Sequence, residues 1–186
     1  MKYIETHIPD VRIIEPEIFH DCRGYFFETY RMDELNQSIG HMVNFIQENE
    51  SCSSKGVLRG LHFQLNPYSQ AKLVRVIKGT VLDVVVDLRK CSHSFGQHVA
   101  VELSEENKRQ LFIPRGFAHG FHVLSDEVVF TYKVDNSYRP DAERCIRYND
   151  PDLNIDWKIP CGSTPILSAK DMNAPLLAES NSDLYL

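Results

Sequence analysis

Several residues stand where proton-transfer chemistry could use them. His62 lies in Arg59-Gly60-Leu61-His62-Phe63-Gln64. An imidazole, with an ordinary pKa of ~6.5, can take a proton at neutral pH. On a regular strand Arg59 and His62 point to opposite faces, and a bulge at Gly60 would bring them together. A core histidine held by a backbone carbonyl is the plainer reading of the same residue. His119 begins a strand just after Pro114-Arg115-Gly116, a position that suits a site residue, and His122 nearby reads equally as surface. Tyr132 shares strand parity with Val128 and Phe130, as a core aromatic or a proton donor. Asp171 reads by default as a helix-start or surface acid. Zinc or iron would need several converging ligands. No His-x-His stands beside His62 or His119, and a lysine on the same face would repel a cation, so no metal is expected.

One pair follows from register. If Lys78-Gly79 is a two-residue turn, Ile77 opposes Thr80. Alternation then sets Lys72, Val74 and Val76 on one face with Val81, Asp83 and Val85. Lys72 and Asp83 become diagonal neighbours. They read either as a solvated ion pair or, among valines, as a half-buried one that is costly to break.

The elements that must position these groups are mostly strands. Segments 57–64, 72–77, 80–88, 98–103, 110–113 and 128–134 are rich in β-branched and aromatic residues, with short turns between them. This spacing predicts an all-β sandwich or barrel. Met32 to Ile39 reads as a short helix ending at Gly40, and Ser168 to Met172 as the start of another. No linker or repeat divides residues 1–186, so one domain is expected, with a polar, frayed tail over about 179–186.

Composition narrows the classes. At 42% hydrophobic and 25% charged, the 186-residue chain is an ordinary globular one rather than a disordered or fibrous one. A net charge of −6 without a basic run argues against nucleic acid, while one pocket with two or three Arg or Lys could still take an anion. Five widely spaced cysteines without C-x-x-C argue against a disulfide framework and for the cytoplasm. The polar start is no signal peptide and no apolar run suits a membrane helix.

Longer motifs carry a resemblance. They include Phe19-His20-Asp21-Cys22-Arg23-Gly24-Tyr25-Phe26-Phe27-Glu28, Gln47-Glu48-Asn49-Glu50-Ser51 and Gly56 to Gln64. Gln70-Ala71-Lys72-Leu73-Val74, Asp83 to Arg89, Pro114 to Phe121, Tyr138-Arg139-Pro140 and Ile155-Asp156-Trp157 continue the set. From about Ile8 to about Leu177 the sequence resembles the dTDP-4-dehydrorhamnose 3,5-epimerase family. The resemblance implies a cupin-like jelly roll, a homodimer, no cofactor, and inversion of C3 and C5 of dTDP-4-dehydro-6-deoxy-D-glucose. It makes His62 the base, Asp171 its dyad partner, Tyr132 the acid, and Lys72, beside Asp83, the group near the C4 oxygen. Arg23, Glu28, Gln47, Glu48, Asn49, Arg59, His119, Tyr138, Glu143 and Lys170 fall on substrate-contact positions. Phe26 would stack on thymine, reaching into the other subunit. Ser137 stands where an aromatic is common, a departure that touches the sugar pocket.

The implied chemistry suits these residue types. A C4 ketone acidifies the flanking C–H bonds, an imidazole removes the proton, and a cation stabilises the enolate oxygen. A carboxylate orients the imidazole. Arg23 and Arg59 would bind the diphosphate by charge-assisted bonds. Three other functions remain: an epimerase of one centre only, a metal-dependent cupin enzyme, and a sugar-nucleotide binder without catalysis. The first differs in which C–H exchanges, the second in its metal, and the third has no need of an acid–base pair.

Overall fold

A computed structural model describes residues 1–180. Its strands are β1 (Lys2–Glu5), β2 (Arg12–Glu15), β3 (Phe19–Asp21), β4 (Gly24–Phe26), β5 (Gln47–Ser54), β6 (Leu58–Gln64) and β7 (Lys72–Lys78). They continue as β8 (Thr80–Asp87), β9 (His98–Ser104), β10 (Gln110–Ile113), β11 (Phe117–Val123), β12 (Glu127–Val134) and β13 (Glu143–Cys145). Two short α-helices, α1 (Met32–Ile39) and α2 (Ala169–Met172), and a 3-10 turn at Pro140–Ala142 complete the described elements. A six-stranded sheet runs β1-β2-β10-β7-β12-β5, and a five-stranded sheet runs β13-β6-β11-β8-β9. The β3–β4 hairpin forms a separate ribbon.

Alternation decides what lies between the sheets. Val74 and Val76 of β7, Val81 and Val85 of β8, and Val128 and Phe130 of β12 point inward and form one core. The opposite face of the five-stranded sheet is also apolar: Leu82, Val84 and Val86 pack under Ile146, Leu153, Trp157 and Leu177 of the C-terminal segment. Burial on both faces accounts for the unbroken run Val84-Val85-Val86 in β8. Asp150 staples that segment, accepting from the backbone N–H of Asp152 and Leu153 and, at 2.6 Å, of Leu177. On the other side α1 lays Leu35 against Leu73 and Phe112.

The expected β7–β8 hairpin is not formed. β7 pairs with β10 and β12, and β8 with β11 and β9, so Lys78-Gly79 is a corner where the chain crosses between sheets. Gly79 has φ +83°, and a Cβ there would sit 2.1 Å from the Glu127 carbonyl oxygen. The corner is thus pinned against β12, which removes β8 from the side of β7. The inward parity of Lys72 and Asp83 nevertheless holds, because each strand alternates by itself and the two inner faces meet across the core.

α1 ends at Gly40 in the left-handed conformation, its N–H donating to the Asn36 carbonyl at 3.0 Å. Ser168 caps α2. Most of the tail expected over 179–186 lies outside the described residues.

Candidate active site

A cavity of about 200 Å³ opens between the sheets, lined among others by Arg59, His62, Lys72, His119, Tyr132, Glu143 and Lys170. Its walls come from both layers. β6 and β11 supply Arg59, His62 and His119 from one sheet; β7 and β12 supply Lys72 and Tyr132 from the other.

The backbone of β6 sets the first wall. His62 pairs with His119, but Arg59 pairs with Phe121, so β6 spends three steps where β11 spends two. The extra residue turns Arg59 and His62 toward the same cavity. Gly60 permits it: its φ is +124°, and a Cβ would lie 2.5 Å from the Gly120 Cα.

Two histidine–carboxylate pairs result. His62 Nε2 lies 2.5 Å from Asp171 Oδ1. Asp171 is 2% exposed, and burial would raise its carboxyl. The His62 bond and charge, the Ser168 hydrogen bond and the Lys170 charge outweigh that and hold it below the usual carboxylate range. The second pair is His119 Nε2 to Asp83 Oδ2 at 2.9 Å, both buried. Burial pushes the His119 imidazole down against the pull of Asp83, which favours the neutral ring. Asp83 therefore serves His119 directly and reaches Lys72 through its field; its Oδ1 is buried without a hydrogen-bond partner.

Burial lowers the Lys72 ammonium to about 8, although the Asp83 and Glu143 carboxylates pull upward. Tyr132 moves the other way. Burial raises its phenol, more than the Arg59 charge and a hydrogen bond with Asn49 lower it, so it holds its proton at neutral pH. At the rim, Glu143 accepts from Lys170 at 2.7 Å and from the Tyr138 hydroxyl at 3.0 Å.

The remaining candidates divide. Asn49 pairs with Tyr132 in register and hydrogen-bonds Gln47 at 2.8 Å, on the cavity side of β5. Glu48 takes the opposite face, where it meets Lys133 at 2.7 Å. Arg23 pairs with Asp21 on the exposed β3–β4 hairpin, Phe26 is 67% exposed there, and Glu28 pairs with Arg31. None of these three lines the cavity of its own chain. Two serines escaped the sequence reading. Ser51 lines the cavity, and buried Ser53 accepts from Arg59 Nε and Nη2 at 3.1 and 3.0 Å. The period-two row Gln47, Asn49, Ser51, Ser53 is the signal that could have found them. Among the described residues no group of three or more His, Cys, Asp or Glu is arranged to hold a metal ion.

A family model for dTDP-4-dehydrorhamnose 3,5-epimerase matches residues 5–179. The chain belongs to the dTDP-4-dehydrorhamnose 3,5-epimerase family. It is 53% identical to the epimerase of Salmonella typhimurium over 180 residues, covering 97% of each chain. It is 51% identical to that of Shigella flexneri over 181 residues, covering 97% of this chain and 98% of the other. The solved structure of a 3,5-epimerase from Legionella pneumophila, in complex with dTDP-4-keto-L-rhamnose, superposes with a TM-score of 0.94 at 48% identity, covering 99% of this chain and 97% of that one. The two facing sheets are accordingly the cupin-like fold of these epimerases, with the sheets not closed into a barrel. The family's activity is that of an isomerase.

Proposed function

We propose that this chain inverts both C3 and C5 of dTDP-4-dehydro-6-deoxy-D-glucose, giving dTDP-4-dehydro-L-rhamnose. The observation that carries the reading is the placement of His62 and Tyr132 on facing sheets across one cavity. A sugar ring held between them meets a base on one face and an acid on the other, which is what inversion of a carbon centre demands. If Nε2–H donates to Asp171, Nδ1 is the nitrogen free to take the proton. The C–H electron pair moves onto the C4 oxygen, where the Lys72 ammonium stabilises the enolate. Tyr132 delivers a proton to the opposite face; before the second centre reacts, His62 releases the proton it took to solvent and Tyr132 recovers one from solvent. Arg59, anchored on Ser53, binds the diphosphate.

The test is proton NMR of the substrate with the enzyme in deuterated water. Deuterium entering both C3 and C5, with dTDP-L-rhamnose after coupled reduction, supports the reading. Entry at one carbon alone assigns a single-centre epimerase, and no entry removes the epimerase reading.

Lys72 gives the pH dependence its sign. The charged form is needed and is lost as pH rises through about 8. The value of kcat/KM, which reports the free enzyme, should therefore fall above pH ~8. A flat profile between pH ~7 and ~10 would remove Lys72 from the enolate site.

The hairpin points to a homodimer in which each chain lends Arg23 and Phe26 to its partner's cavity. Phe19, Tyr25 and Phe26 are each more than half exposed, on a ribbon that leaves its own site. Phe26→Ala should raise KM about tenfold or more at unchanged kcat, as loss of base stacking does. Sedimentation at the mass of one chain, or an unchanged KM, would count against this arrangement. The five free cysteines suit the reducing cytoplasm we assign to the enzyme.

A further inference from the structure

We infer that Ser168 is a positioning residue for the base, holding the Asp171 carboxylate in the orientation that His62 requires; this rests on the reading of His62 as the base. Asp171 Oδ1 faces His62 Nε2, and its other oxygen, Oδ2, accepts from the Ser168 hydroxyl at 2.8 Å. The same Ser168 oxygen accepts from the Asp171 backbone N–H at 3.1 Å. One hydroxyl thus fixes both the main chain and the side chain of Asp171. The carboxylate cannot turn about its last bond without losing a partner at one end or the other.

Ser168 is itself placed from the β6 side. Ile166 bridges Val57 in parallel, taking a hydrogen bond from Leu58 N–H at 3.0 Å and giving one to the Gly56 carbonyl at 2.8 Å. Two residues later Ser168 caps α2, a helix of only four residues that has little cooperativity of its own. The cap and the bridge, rather than the helix, therefore determine where Asp171 sits. The line of groups runs from the start of β6, through 166–168, to Asp171, and back to β6 at His62.

Three variants separate positioning from capping. Ser168→Ala removes both bonds, Ser168→Thr keeps both, and Ser168→Asp keeps the cap acceptor but cannot donate to Oδ2. We expect kcat for deuterium exchange into dTDP-4-dehydro-6-deoxy-D-glucose to fall about tenfold in Ser168→Ala, the worth of one hydrogen bond to a charged group. KM and dTDP affinity should stay unchanged. Ser168→Thr should restore kcat, and Ser168→Asp should lose at least as much as Ser168→Ala while keeping its fold. The His62 Nε2–H proton resonance should move in Ser168→Ala and return in Ser168→Thr. Wild-type kcat in Ser168→Asp, or an unmoved resonance in Ser168→Ala, overturns the inference. His62→Ala run alongside distinguishes the failures: an inactive His62→Ala with a fully active Ser168→Asp sinks only the role of Ser168, whereas an active His62→Ala sinks the base as well.

Discussion

His62→Ala should abolish deuterium exchange at C3 and at C5 together, with kcat lower by about 10³-fold. That magnitude is within the usual range for loss of a positioned general base. Both centres should fail at once, because the cavity holds one histidine–carboxylate pair with a partly exposed ring and a second pair that is buried and tied inward through Asp83. The substitution removes a ring from the cavity wall without touching the strand pairing of Leu58 or Arg59, so the protein should stay folded and bind dTDP normally. Isothermal titration with dTDP and the exchange assay on the same sample would check this. Near wild-type turnover with intact binding would mean that another group takes the proton, and His119 would be the next to replace.

Tyr132→Phe should separate two events that the wild-type enzyme couples. Abstraction should survive, since His62 is on the other sheet, but the enolate would then lack a proton donor on the opposite face. Reprotonation from the His62 side returns the starting configuration with solvent deuterium in place. Exchange should therefore outrun formation of inverted product, and the ratio of the two rates should rise about 100-fold. The phenylalanine ring keeps the packing against Phe130, whose centroid lies 6.3 Å from that of Tyr132. The comparison is made by following deuterium content and product by NMR in one tube. Equal losses of exchange and product would remove Tyr132 as the acid.

What the sequence made legible depended on how local the information was. The strands at 58–64, 72–78, 80–87 and 110–113 announce themselves by β-branched and aromatic residues. β5 does not: Gln-Glu-Asn-Glu-Ser-Cys-Ser-Ser carries no apolar alternation, because it is an edge strand whose outer face meets solvent. Strands β1 to β4 and β13, of three or four residues each, are too short to display a period. Inward parity at Lys72, Asp83 and Tyr132 could be read residue by residue, whereas strand neighbours could not. Lys78-Gly79 reads as a hairpin until Glu127 and Ser125 are known to press on Gly79. Likewise nothing in spacing joins His62 to Asp171 or His119 to Asp83. The first pair entered through resemblance alone, and the second needed the order β11-β8 within the sheet.

His62 and Asp171 lie 109 residues apart along the chain. Closing so long a span costs entropy that local strand pairing does not repay. During refolding, sheet structure can form around β7, β8, β11 and β12 before the C-terminal segment has docked, and such a species would have a cavity with no oriented imidazole. Recovery of turnover should therefore lag recovery of β-sheet circular dichroism, because it waits for residues 166–171 to reach β6.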